Sequence, residues 1–196
     1  ITGLALRPRW GPMHGPEARS EQQLGEQAIE QLPAGAAIVG DRNFGIFSMA
    51  WAAQQRGHPA VLRLTEERAK KLLGRTLQPG VEEAVVWRPS RWDQTAHPDL
   101  PEQAAVSGRV LICARPGARG PLLCLFMTLP LPAEEVVPLY ELRWNVEADL
   151  RSLKRALRLH QLSCQSSAMM EKELVLAMAA CNLVRAVMWL AAKRAV

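Results

Sequence analysis

Five side chains in this sequence have the types and spacing to handle a phosphodiester. Tyr140, Arg143, Glu147 and Lys154 lie in a stretch, 140–154, that holds no Gly or Pro and is rich in Leu, Glu, Arg and Lys. That composition predicts helix. At about 100° per residue, the last three fall within roughly 60° of Tyr140 around the axis. One helix face would then carry a hydroxyl, a guanidinium, a carboxylate and an ammonium. The fifth side chain is Asp41, directly after the apolar run Ala36-Ala-Ile-Val-Gly40. Cutting a phosphodiester needs charge neutralised on the scissile phosphate and a hydroxyl made nucleophilic, and two divalent ions held by clustered carboxylates supply both. Oxygen-only ligands such as Asp41 and Glu147 suit Mg²⁺ or Mn²⁺. Arg143 and Lys154 can grip phosphates on either side of a cut, with Tyr140 adding a hydrogen bond or a stack. The inert alternatives are an Arg143–Glu147 ion pair on a solvated helix and an Asp41 that caps a helix starting near Phe44.

These residues need elements to hold them. The run 36–40 reads as a buried strand, which puts Asp41 at a strand's carboxyl end, where open α/β sheets place their active sites. Before it, Ile1–Leu6 predicts a strand and Glu17–Leu32 a helix, an order that implies parallel pairing through a right-handed crossover. After it come a helix over Ile46–Arg56 that ends at Gly57, a strand over 59–64 and a short charged helix over 65–73. From Thr76 to Gly120 prolines and glycines recur, with β-like runs at Val85–Trp87 and Val110–Ala114. Residues 116–120 suggest a hairpin turn before a strand over 122–129. Acidic residues at 134 and 135 then open the helix that carries Glu147. A break follows at 160–167. A final helix spans Met169–Lys193, with Leu174, Met178, Cys181 and Val184 turned inward.

The bulk properties narrow the class. A chain of 196 residues can bury a full core and suits one domain with an insertion. Lys and Arg number 24 against 19 Asp and Glu, a net charge of +5 that is compatible with nucleic acid without demanding it. Cys113, Cys124, Cys164 and Cys181 form no C-x-x-C pair and have no histidine cluster, which argues against zinc and against a disulfide framework. Leu174–Ala192 is nearly long enough to span a bilayer, but it contains Asn182 and Arg185, so a core helix is the expectation. The first residues do not show a charged n-region followed by an apolar run and a cleavage site.

The spacing Tyr140, Arg143, Glu147, Lys154, with Trp144 beside the arginine, resembles the Y-R-E-K signature of the IS-four branch of DDE transposases. Asp41-Arg-Asn-Phe-Gly45 is similar to the Asp-Arg-Gly-Phe-Gly motif that carries that branch's second catalytic aspartate, with Asn43 in place of the glycine. The resemblance implies an RNase H-like α/β fold: a mixed sheet flanked by helices, with a mainly β insertion before the helix bearing the glutamate. On that plan, residues 1–75 and 121–196 form the catalytic core and 76–120 the insertion. It also implies metal-dependent DNA cleavage and strand transfer, with Asp41 and Glu147 as the second and third of three carboxylates that hold two Mg²⁺ or Mn²⁺ ions. Tyr140, Arg143, Lys154 and Arg42 would contact DNA. Trp87 and Trp92, interleaved with Arg88 and Arg91, would stack on a base flipped from the transposon end, the alternative being half-buried strand tryptophans. The partners implied are double-stranded terminal-repeat and target DNA and a second copy on paired ends, in a bacterial cytoplasm and away from membranes. The chain opens at Ile1 rather than Met, and no aspartate precedes Asp41. The expectation is therefore an N-terminally truncated piece, inactive alone because it lacks the first carboxylate. The rival reading is a DNA-binding remnant without catalysis. A third is an unrelated α/β domain in which Asp41 and Glu147 lie far apart.

Overall fold

Strand β5 (Leu122–Met127) is the middle of a five-stranded sheet, and its sequence, Leu-Leu-Cys-Leu-Phe-Met, explains why. Side chains alternate across a strand, so a strand apolar at every position is one buried on both faces. Cys124 and Phe126 join one core, while Leu123, Leu125 and Met127 join the other. The computed structural model describes residues 4–115, 122–156 and 166–194. They divide into one unit spanning Gly11–Glu141 and a second made of the first ten residues with Leu142–Val196.

In the first unit the sheet order is β1-β2-β5-β4-β3. β1 (Ile38–Gly40) runs parallel to β2 (Ala60–Arg63), with α2 (Phe47–Gln55) as the crossover between them. β5 is antiparallel to β2 and to β4 (Val106–Ala114), and β4 is antiparallel to β3 (Val81–Trp87). The β-rich stretch 76–120 thus contributes two strands to the same sheet that carries Asp41. α1 (Glu21–Ile29), α2 and α3 (Glu66–Leu73) accompany the larger core, whose sheet residues include Leu62, Val110, Ile112 and Phe126. The opposite core joins Val61, Leu111, Leu123, Leu125 and Met127 to Val136 and Tyr140 of α5 (Ala133–Glu141). A short helix, α4 (Arg91–Ala96), follows β3; it begins with a Ser90–Asp93 capping box.

In the second unit, α6 (Arg143–Ala156) and α7 (Ser167–Arg194) are tied by an ion pair of 2.8 Å between Asp149 and Arg185. Three expectations are corrected here. Residues 4–6 form no strand: the Ala5 N–H donates to the Asn182 side chain at 2.8 Å and its carbonyl accepts from the same amide at 2.7 Å, so an asparagine stands in for a ladder neighbour. The single helix expected over 140–154 is two helices separated at Leu142. Pro138 inside α5 removes one helical donor shortly before that break. Finally, no described residue of α7 is fully buried. Leu174, Met178 and Cys181 are partly covered, as is Arg185, whereas Val184 is 59% exposed. By length and composition alone α7 could cross a membrane. The turns expected at 116–120 and in most of 160–167 lie outside the described residues.

Candidate active site

Asp41 follows the last residue of β1 and is half-buried. It does not cap α2, whose N-cap is Ile46. Instead its Oδ1 accepts the backbone N–H of Asn43 at 2.8 Å, closing a tight turn whose Phe44 N–H donates to the Asp41 carbonyl at 3.1 Å. The other carboxylate oxygen of Asp41 accepts no hydrogen bond from the described residues. The turn closes only because of its glycine: a Cβ on Gly45 would stand 1.9 Å from the Arg63 carbonyl oxygen at the end of β2. On the far side Arg68 of α3 donates to the Gly45 carbonyl. Arg42 points its charge into solvent.

Glu147 lies one helical turn beyond Arg143 on α6, and the two form an ion pair of 3.0 Å. This is the pairing that i, i+4 spacing favours. The Arg143 guanidinium also lies 4.7 Å above the Trp144 ring, and its side chain is only 13% exposed, against 45% for Glu147. Lys154 is exposed two turns further along the same helix. Tyr140 belongs to the other unit, at 2% exposure in the core beside Leu125 and Met127. It is therefore a packed residue rather than a member of an open row.

The two tryptophans have opposite fates. Trp87 is 5% exposed, with its ring edge-on to Phe126 at 4.9 Å and to Phe47 at 6.0 Å. It ends β3 on the core face, so it offers no open surface to a base. Trp92, on the first turn of α4, is 66% exposed. It borders a cavity of about 500 Å³ with Phe47 and Leu72 as apolar wall, Arg68, Lys71 and Arg88 as cations and Glu67 and Asp93 as anions. Arg68 and Lys71 were invisible as site residues in the sequence, where α3 reads simply as a charged helix. The Ser90-x-x-Asp93 capping pattern was the one signal that Trp92 opens a helix instead of continuing a strand.

Burial pushes the Cys124 thiol up to about 11, with Glu66 adding to the shift, and raises Cys113 in the same direction. Both are packing residues. Asp41 and Glu147 are oxygen donors of the kind Mg²⁺ prefers, yet among the described residues no three His, Cys, Asp or Glu side chains are grouped closely enough to hold an ion. What the described residues offer a metal is individual ligands, not a finished cage.

The family described as transposase DDE domain matches residues 13–183, and the chain belongs to it. Its mixed α/β architecture, a five-stranded mixed sheet flanked by helices, is consistent with an RNase H-like DDE transposase domain. Membership supports an enzyme class, points to transposase activity and implies a DNA substrate; such domains generally use divalent metal ions. Comparison with curated protein sequences finds no match.

Proposed function

We propose that this chain carries catalytic residues of an insertion-sequence transposase of the IS-four type, which cuts DNA at transposon ends and joins the freed 3′-hydroxyl to target DNA. The observation that best supports this reading is Asp41: a carboxylate at the end of a sheet strand, held by a tight turn with one oxygen open, inside a family match that also spans Glu147. Divalent ions bound by these carboxylates would neutralise the scissile phosphate and activate the attacking hydroxyl. Asp41 contributes its open oxygen, and Glu147 becomes a ligand once it parts from Arg143. Arg143 on the same helix adds a guanidinium that can grip a phosphate beside the cut. Lys154 and Arg42, both exposed, add phosphate contacts that set register without reading sequence. Trp92 provides an exposed stacking surface for an unpaired base. Assembly as a dimer on paired ends follows from the same reading.

The test is Mg²⁺-dependent cleavage of terminal-repeat DNA by the full-length natural protein. Asp41→Asn and Glu147→Gln are each expected to lower the rate by at least about a hundredfold while DNA binding persists. Cleavage by either variant at the wild-type rate overturns the assignment. The alternative reading is a remnant of such a transposase that binds DNA without cutting it. That reading predicts salt-sensitive DNA binding and no cleavage by the wild-type protein.

A further inference from the structure

Asn43 does something that the turn's backbone alone does not require. Its side-chain amide donates to Glu21 Oε2 at 2.8 Å, and its carbonyl oxygens, main-chain and side-chain, accept from Gln22 Nε2 at 3.0 and 3.3 Å. Glu21 and Gln22 open α1, where a complete capping box at Ser20 holds the first turn. Phe44, the next residue of the same turn, packs on α1 where Gly25 lacks a side chain: a Cβ there would sit 2.7 Å from the phenyl ring. The opposite flank of the turn is equally fixed, by Gly45 against the Arg63 carbonyl and by Arg68. The Asn43 N–H is the only donor that the Asp41 carboxylate receives from the described residues. Whatever holds Asn43 therefore aims the Asp41 carboxylate.

We propose that Asn43 is a positioning residue: it latches the Asp41 turn to the first turn of α1 through Glu21 and Gln22, and so sets the direction of the open Asp41 oxygen. The inference rests on the reading of Asp41 as a metal-holding carboxylate. A carboxylate fixed from behind binds an ion with less ordering than one free to rotate, which is why hydrogen-bond partners of ligands affect affinity as strongly as they do. Glu21 and Gln22 carry no signal of this role in sequence, since both look like ordinary solvated residues of a helix start.

The test compares the wild-type chain with Asn43→Ala, Glu21→Ala and Glu21→Gln, the last retaining an oxygen that can accept from Asn43. Two readouts are followed by NMR: backbone amide exchange over residues 41–45, and Mn²⁺-induced broadening of the same amides, with Asp41→Asn as the control for local binding. Asn43→Ala and Glu21→Ala should speed exchange at 41–45 and require several-fold, up to about tenfold, more Mn²⁺. Glu21→Gln should behave as wild type, and melting temperatures should stay within about 2 °C throughout. Unchanged exchange at 41–45 in both alanine variants overturns the latch. If the wild type shows no broadening that depends on Asp41, the metal-holding reading fails, and the exchange data still decide whether the latch exists. Broadening at equal Mn²⁺ in wild type and Asn43→Ala leaves Asp41 a ligand but removes the latch's proposed effect on it.

Discussion

Gly45 shows how one missing methyl can hold a site. With a Cβ at 1.9 Å from the Arg63 carbonyl, no rotamer relieves an alanine, because both contacting groups are backbone. Gly45→Ala should therefore cost about 1–3 kcal/mol, measured as a shift in urea midpoint at constant slope, and should displace Asp41 with it. The two tryptophans offer a sharper contrast. Trp87→Ala should lose about 3–5 kcal/mol, because the ring fills the space between Phe47 and Phe126. Trp92→Ala should stay within about 0.5 kcal/mol of wild type in stability while weakening single-stranded DNA binding. Cys124 makes a prediction about pH. Its thiol ionises near 9.0 when exposed but at about 11 in the fold, so between those values the folded state keeps a proton that the unfolded chain releases. The contribution is whole below pH 9 and is lost as pH rises toward 11. Urea titrations at pH 8 and 10.5 should show a smaller loss of stability for Cys124→Ala than for the wild type.

Among the elements, those with strong local grammar were readable in advance. β5 announced itself through unbroken hydrophobicity, α3 through its run of charged residues, and α1 through a stretch rich in Glu, Gln, Ala and Leu over 17–32. The errors came where distant partners decide. Residues 4–6, the described part of the strand expected over Ile1–Leu6, form none: a strand needs a ladder, and at Ala5 the Asn182 amide supplies both bonds instead. Asn182→Ala should free that segment: Ala5 exchange should quicken by about tenfold, corresponding to the loss of one or two part-buried hydrogen bonds. The helix over 140–154 looked continuous because each residue favours helix. The break at Leu142 falls where Tyr140 is committed to the sheet's core and Arg143 to its own pairing with Glu147. The position of Asp41 at a strand's end was legible because an apolar run stops there at a Gly-Asp step. Arg68, Glu21 and Gln22 were not, since their role depends on which loop the fold brings to them.

At the scale of the whole molecule, the proposed DNA binding rests on phosphate contacts and should therefore weaken with salt. Lys154→Ala should weaken binding evenly across sequences and lower the slope of log affinity against log salt by about one, measured by fluorescence anisotropy at several salt concentrations. The tie that sets how this chain fails under stress is Arg109. From β4 it reaches Glu82 on β3 and donates to the carbonyls of Leu129 and Leu131, so one guanidinium fastens both the sheet margin and the connector that leads into α5. A lysine has neither the fork nor the reach to serve all three. With Arg109 gone, the stretch Thr128–Pro132 becomes the natural nicking point for a protease. Limited digestion would then part α5 and everything after it from the strands that bear the aspartate.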